Sequence, residues 1–337
     1  MVTRVGINGF GRIGRNYLRA SLGNPNIEIV AVNDLVPPAT NAHLLKYDST
    51  HGRLNTPVSV SDEGICVGEA TLKVLAERNP SDLPWAELGV DVVIESTGHF
   101  TSREGAARHL EAGAKRVIIS APSGDADAMF VVGVNEHTYD PEIHFVVSNA
   151  SCTTNCFVPM VKVLDDALGV DVGLMTTVHS YTNDQHILDL ARSDGDLRRA
   201  RAAAINIVPS TTGAARATSL VMASMKGRLD GTSLRVPTPD GSITDFTAIV
   251  RSTTIEEINA AFKTAAEGSM KGVIVYTEDP IVSSDIVGSA ASCTFDSLMT
   301  MVLAIDEQKS LIKVFGWYDN EWGYSSRLVD LTLHIGQ

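Results

Sequence analysis

Ser151-Cys152-Thr153-Thr154-Asn155-Cys156 sets a thiol among small hydrogen-bonding residues. The apolar stretch Ile143-His144-Phe145-Val146-Val147, closed by Ser148-Asn149-Ala150, precedes it, and a helix-like stretch, Phe157 to Leu168, follows. Cys152 is therefore expected where a strand gives way to a helix. Backbone N–H groups at a helix start favour negative charge, so a thiol there is expected to have a lowered pKa and to attack as its thiolate. A half-buried structural cysteine in a capping turn would carry the same residues, and the hexapeptide by itself leaves both readings open. A nucleophilic thiol also needs a base. Of nine histidines, His179 is favoured because it ends an apolar strand and precedes the polar Ser180-Tyr181-Thr182.

Gly9-Phe10-Gly11-Arg12-Ile13-Gly14 matches G-x-G-x-x-G in the context that gives this pattern meaning, after a strand and at the start of a helix. Gly9 would permit the tight turn, Gly11 the approach of a pyrophosphate, and Gly14 close helix–strand packing. Asp34 closes the second strand twenty residues beyond Gly14, where a carboxylate reaches ribose hydroxyls. It would repel a 2′-phosphate, so the site favours NAD over NADP. A hydride acceptor beside a nucleophilic cysteine points to oxidation of an aldehyde: the thiol adds to the carbonyl, hydride leaves, and a thioester remains.

The elements that must position these residues alternate along the first half. Strands are expected at Arg4–Asn8, Glu28–Asn33, Val90–Glu95, Arg116–Ile119, Met129–Val132 and His144–Val147, with helices at Gly11–Leu22, Ala39–Tyr47 and Arg103–Ala112. Such alternation implies right-handed parallel crossovers in a doubly wound sheet. Val58–Glu77 reads as a hairpin excursion from it. After Cys152 the rhythm changes to longer strands, at Gly173–His179, Ser233–Val236, Thr244–Val250 and Leu311–Tyr318, with a capped helix at Ile255–Glu267. The fold class expected is α/β, an N-terminal doubly wound Rossmann domain plus an α+β catalytic domain with a mixed or antiparallel sheet. The domains run 1–150 and 151–316, with a C-terminal segment, 317–337, packing back on the first. The polar stretch Thr182–Arg201 is long enough to suggest a functional loop.

Composition narrows the class. Among 337 residues, 44% hydrophobic and 20% charged is a soluble globular balance. No apolar run reaches the ~18–20 residues of a membrane helix. The N-terminus alternates like a strand rather than a signal peptide, and the chain reads as cytoplasmic. Cys66, Cys152, Cys156 and Cys293 are too few for a disulfide framework, and with no Cys-x-x-Cys pair no metal site is expected. A net charge of −13 argues against nucleic acid as the main partner. Arg198-Arg199-Ala200-Arg201 is a local exception, either a solvated basic helix start or an anion or subunit contact.

Together these pieces resemble phosphorylating glyceraldehyde-3-phosphate dehydrogenase over essentially the whole chain. The resemblance rests on Ile7 through Arg15, Ala150 through Cys156, Thr177 through Thr182, Asp196 through Arg201, Arg235-Val236-Pro237-Thr238-Pro239, and Trp317 through Ser325. It implies Cys152 as nucleophile and His179 as its ion-pair partner and acid–base. The substrate phosphate of glyceraldehyde 3-phosphate would meet Thr182, Asp184 and Arg235. Attacking inorganic phosphate would meet Ser151, Thr153, Arg199, Thr212 and Gly213. Around NAD, beside the Gly9, Gly11 and Gly14 turn, it implies Arg12 and Ile13 at the pyrophosphate, Asp34 at the ribose, Arg78, Thr97 and Ser120 along the strand ends, and Asn320 at the carboxamide. It further implies a homotetramer.

The chain departs from the family pattern in the longer loop between Gln185 and Asp196, at His186 for arginine, Ala191 for proline and Arg216 for lysine, and at Met222-Ala223-Ser224-Met225. Erythrose-4-phosphate dehydrogenase, with water releasing the acyl group, is the rival enzyme. A catalytically retired NAD-binding or adhesion protein is the rival of another class. Aspartate-semialdehyde dehydrogenase shares the logic but not the motifs around His179 and Arg235.

Overall fold

In the computed structural model, which describes residues 2–336, the apolar periodicities become alternating strands and helices. The first half holds β1 (Thr3–Asn8), α1 (Arg12–Ser21), β2 (Ile27–Asn33), α2 (Pro38–Lys46), β3 (Tyr47–Asp48), β4 (Gly52–Arg53), β5 (Val58–Ser61), β6 (Gly64–Val67), β7 (Ala70–Leu75), β8 (Val92–Glu95), α3 (Arg103–Glu111), β9 (Arg116–Ile119), β10 (Ala128–Met129) and β11 (Val146–Ser148). The second half holds α4 (Cys152–Leu168), β12 (Val170–Ser180), β13 (Val208–Thr211), α5 (Ala214–Val221), β14 (Leu229–Val236), β15 (Ser242–Arg251), α6 (Ile255–Glu267), β16 (Ile274–Thr277), α7 (Ser283–Ile286), β17 (Cys293–Asp296), β18 (Met301–Ala304), β19 (Lys309–Tyr318) and α8 (Trp322–Ile335).

Two units result, residues 2–151 with 325–336, and residues 152–324. The returning segment is shorter than 317–337, because Trp317 and Tyr318 complete β19 of the second unit. Met1 and Gln337 lie outside the described residues.

In the first unit the strand order is β10-β11-β9-β8-β1-β2-β7-β6-β5. All pairings from β10 to β7 are parallel, and β6 and β5 close the edge antiparallel. From β1 the chain winds first to β2 and later to β8 on the opposite side. That reversal opens a crevice at the carboxyl end of β1, where such sheets bind ligands. Under the sheet, Trp85, Val93, Val117, Ile119 and Val146 are buried together.

Two expectations needed correction. The stretch Val58–Glu77 is not an excursion, since β7 pairs in parallel with β2 and extends the main sheet. Local periodicity shows the hairpin but not its outer partner. The strand expected at Met129–Val132 stops at Met129, because the Asn135 side chain takes the Val131 N–H at 2.9 Å and turns the chain.

The second unit carries a sheet ordered β13-β14-β12-β15-β19-β17-β16, with β18 also on β19. β12 with β14 and β16 with β17 are parallel; the other pairings are antiparallel. Helix α4 packs on β12, β15, β17 and β19 and is flanked by α5 and α6. Thr254 and Glu257 form a capping box at the start of α6.

Candidate active site

The turn from β11 into α4 is tight. Ala150 has φ 56°, a left-handed conformation that non-glycine residues seldom adopt, and α4 begins at Cys152 itself. Cys152 Sγ lies 3.4 Å from His179 Nε2, near the end of β12. Parallel pairing of β12 with β14 sets His179 opposite Arg235. His179 Nδ1 is 2.8 Å from Arg235 Nη1 and 2.7 Å from the Ser180 carbonyl oxygen, and Arg235 Nη1 donates to that carbonyl at 3.1 Å. The carbonyl can only accept, so Nδ1 carries the ring proton and donates to it, the Arg235 guanidinium donates to the same oxygen, and Nε2 is left as the acceptor facing the sulfur.

Electrostatics here differ from the lowered thiol pKa expected at a helix start. Burial pushes the Cys152 thiol up, to about 11, against the pull of the Arg235 charge. Burial, followed by Arg235, pushes His179 down to about 3. The resting pair is thus neutral thiol and neutral imidazole: removal from water outweighs the favourable helix terminus.

Tyr318, at the end of β19, packs edge-on to the His179 ring at 5.8 Å. Its hydroxyl joins Thr153 Oγ1 at 2.9 Å and Thr177 Oγ1 at 2.7 Å. Tyr318 lies within the Trp317–Ser325 segment, where nothing in the local pattern marks it for the site. Asn320 Oδ1 accepts from Ser180 Oγ at 2.5 Å and Ser242 Oγ at 2.8 Å, which fixes the carboxamide.

The residues expected at the substrate phosphate are brought together. Arg235 Nη1 donates to Thr182 Oγ1 at 3.2 Å, Thr182 Oγ1 donates to Asp184, and Asp184 Oδ2 pairs with Arg199 Nε at 3.3 Å. The basic run is not a helix start: Arg198–Arg201 lies in turns, with Arg199 also 3.4 Å from Asp196 and Arg201 2.9 Å from Asp189. Thr212 Oγ1 accepts the Ala214 N–H at the start of α5, and the space beside Gly213 is open for 4 Å. Ser151 belongs to the first unit and is half-buried.

In the first unit, Gly9, Gly11, Asp34, Arg78 and Thr97 line a cavity of about 370 Å³. Gly9 has φ +91°, and a Cβ there would lie 2.6 Å from the Thr97 nitrogen. A Cβ on Gly14 would lie 2.2 Å from the Gly9 carbonyl oxygen, whereas nothing stands within 4 Å of one on Gly11. That open backbone at the N-terminus of α1, with Asp34 at the end of β2, fits a dinucleotide pyrophosphate and its ribose. Arg12, Ile13, Gly14 and Ser120 do not line the cavity. The Arg12 side chain instead meets Asp48 at 2.5 Å.

Asn8, Asn33 and Ser96 do line it and were missed, although Asn8 adjoins the glycine motif. A buried network supports them. Trp85 Nε1 donates to His109 Nδ1 at 3.0 Å, so His109 Nε2 carries the proton toward Glu95 at 3.0 Å. Glu95 in turn accepts from Asn8 Nδ2 at 2.6 Å and the Thr97 backbone at 2.9 Å.

A larger cavity, about 860 Å³, is lined by Leu174, Thr176, Arg228 and Lys313 on the second sheet and holds none of these residues. Among the described residues no helix is long and apolar enough to cross a membrane.

Comparison with known proteins agrees with this geometry. Residues 3–103 match the family model of the glyceraldehyde 3-phosphate dehydrogenase NAD binding domain, and residues 151–320 match that of the C-terminal domain. Glyceraldehyde-3-phosphate dehydrogenase 2 of Streptomyces avermitilis is 61% identical, covering 100% of this chain and 99% of its own. The glyceraldehyde-3-phosphate dehydrogenase of Geobacillus stearothermophilus is 57% identical over 99% of this chain and 98% of its own. The Bacillus subtilis protein named glyceraldehyde-3-phosphate dehydrogenase 1 is 55% identical over 100% and 99%.

Proposed function

The chain belongs to the glyceraldehyde-3-phosphate dehydrogenase family, and from that premise we propose that it oxidises glyceraldehyde 3-phosphate with NAD and inorganic phosphate to 1,3-bisphosphoglycerate. The observation that carries this reading is Cys152 Sγ 3.4 Å from His179 Nε2, with Arg235 bridging from His179 to Thr182.

As Cys152 Sγ adds to the aldehyde carbon, its proton passes to His179 Nε2 and from there to the oxyanion, which gives the thiohemiacetal. The Cys152 backbone N–H and the Nε2–H of His179 hold the oxyanion. Arg235 turns onto the substrate phosphate with Thr182, as a forked, charge-assisted donor. As hydride leaves, Nε2 takes the hydroxyl proton, while Nδ1 keeps its own proton on the Ser180 carbonyl. NAD supplies the hydride acceptor when bound. The Cys152 thioester then meets inorganic phosphate held by Ser151, Thr153, Arg199, Thr212 and Gly213. Gly9 and Gly11 admit the pyrophosphate, with Asp34, Arg78 and Thr97 lining the same cavity.

The working form we propose is a cytoplasmic homotetramer. Leu174 and Leu303 are exposed on the second sheet at 68% and 67%, and Leu197 in the long loop at 82%, which suits subunit contacts. Sedimentation at the 36.0 kDa monomer mass would reject that assembly.

Initial rates with and without inorganic phosphate test the chemistry. Phosphate-dependent NADH formation is expected. Phosphate-independent turnover of erythrose 4-phosphate would instead select the rival enzyme, and no aldehyde oxidation at all the retired binding protein.

A further inference from the structure

Glu95, the last residue of β8, does not line the cofactor cavity, but residues that do line it converge on its carboxylate. Glu95 and His109 are 2% and 0% exposed. Oε2 accepts from Asn8 Nδ2 at 2.6 Å and from His109 Nε2 at 3.0 Å; Oε1 accepts the Thr97 N–H at 2.9 Å and the Thr97 hydroxyl at 2.5 Å. The outer ends of the network fix every proton in it. The Trp85 indole can only donate, so His109 is neutral and its proton lies on Nε2. At the other end, the Glu77 N–H donates to Asn33 Oδ1 and the Glu77 carbonyl accepts from Asn33 Nδ2, both at 2.8 Å, which sets that carboxamide one way round. Asn33 Nδ2 also donates to Asn8 Oδ1 at 2.7 Å, which leaves the Asn8 amino group to face Glu95. The Thr97 hydroxyl accepts the His99 N–H at 3.0 Å, so its own proton points to Oε1. Four donors therefore meet one carboxylate. None of them is a cation, and a proton on Glu95 would find no acceptor.

We propose that Glu95 is a positioning residue for the adenosine half of the dinucleotide, with His109 as the group that holds it in place. The proposal rests on reading this cavity as the cofactor site, where Asp34 marks the adenosine ribose. Hydrogen bonds to an ionised acceptor are stronger than neutral ones, and burial strengthens them further. The charge thus orders Asn8 and Thr97 directly, Asn33 and the Glu77 backbone through Asn8, and the His99 backbone through Thr97. All five line the cavity. A lining ordered before the ligand arrives loses less freedom on binding, which raises affinity without adding a contact. The network draws on no residue of the second unit, so its effect falls on binding of the adenosine half and not on the chemistry at Cys152.

Calorimetric titration with ADP-ribose, which lacks the nicotinamide, tests this apart from turnover. Glu95→Gln keeps the shape and removes the charge, and its amide group must face a donor whichever way it turns. It should weaken ADP-ribose and NAD alike by about tenfold, the worth of one charge-assisted hydrogen bond. The KM for NAD should rise with it, while kcat at saturating NAD and the KM for the aldehyde stay within about twofold. His109 supplies a second pair of variants should Glu95→Gln fail to fold. His109→Gln can keep an N–H toward Glu95 and should bind ADP-ribose within about twofold of the parent, whereas His109→Leu fills the space without a donor and should lose about tenfold. A histidine that served packing alone would not rank the two in that order. ADP-ribose affinity unchanged in Glu95→Gln, or equal in the two His109 variants, would overturn the role of Glu95 and leave the cofactor site standing. A parent protein that binds no ADP-ribose would overturn both.

Discussion

The hydroxyl of Tyr318, at the end of β19, lies 2.9 Å from that of Thr153, in the first turn of α4. The same hydroxyl reaches Thr177 on β12 at 2.7 Å. One phenol therefore ties the helix that begins with the nucleophile to the strand that carries His179. Tyr318→Phe should cost about 1–3 kcal/mol by removing two buried hydrogen bonds. It should also raise the KM for inorganic phosphate several-fold, since Thr153 loses its orientation, while NAD affinity holds. Denaturant midpoints identical to the parent protein would remove this tie from the argument.

Cys152→Ser should lower aldehyde oxidation by more than about a thousandfold, and His179→Asn by roughly a hundred- to ten-thousandfold. NAD titrations followed by fluorescence should be unchanged in both, because the cofactor cavity of the first unit draws on neither side chain. Undiminished turnover in Cys152→Ser would sink the covalent mechanism.

Gly11 and Gly14 separate binding from folding. A Cβ on Gly11 meets nothing within 4 Å, so Gly11→Ala should fold normally yet raise the KM for NAD by filling the pyrophosphate approach. A Cβ on Gly14 collides with the Gly9 carbonyl at 2.2 Å, so Gly14→Ala should lower the melting midpoint as well. Equal melting curves for the two variants would contradict this division.

Asp34 decides between coenzymes. Its Oδ2 takes the Phe10 N–H at 2.7 Å and its Oδ1 the Val36 N–H at 2.9 Å, so the carboxylate is held at the cavity edge. Asp34→Ala should weaken NAD by about 1.5–3 kcal/mol, the worth of a charged hydrogen bond. NADP should gain relative to NAD when both are compared by kcat/KM. A ratio left unchanged would mean that another group excludes the 2′-phosphate.

Asp48 should make the protein acid-sensitive. Burial works to raise its pKa, but N–H groups of His51 and Thr50 and the Arg12 guanidinium outweigh it and hold the carboxyl at about 2 against an ordinary 3.8. The folded-state value is depressed, so the stabilisation is complete above pH 3.8 and is lost as pH falls through 2. Asp48→Asn should therefore cost about 2 kcal/mol at neutral pH, with the gap to the parent closing between about pH 4 and pH 2. A gap independent of pH would show that packing, not charge, holds this contact.

Much of the architecture was legible because it is written locally. The strand, glycine turn and helix from Thr3 to Ser21 follow from short-range periodicity and from what glycine permits. The capping box at Thr254 and Glu257 marks α6 at its first residue. The place of the strand Ala70–Leu75 in the main sheet was not legible because its partner, β2, lies far away in sequence. Of the two readings of Arg198–Arg201, the helix start fails because Asp184 and Asp196 hold Arg199, and Asp189 holds Arg201, in a turn segment.

By itself the sequence determined the Gly9–Gly11–Gly14 turn with Asp34, and a cysteine at a strand-to-helix junction, since each needs only neighbours in the chain. The sequence already pointed to His179; tertiary structure alone decided that its Nε2 stands 3.4 Å from Cys152 Sγ and that Arg235 reaches its far nitrogen. It also decided that burial leaves that pair neutral. These relations depend on the register of β12 against β14 and on α4 packing across β17 and β19, and so on pairings between distant segments that no local pattern records.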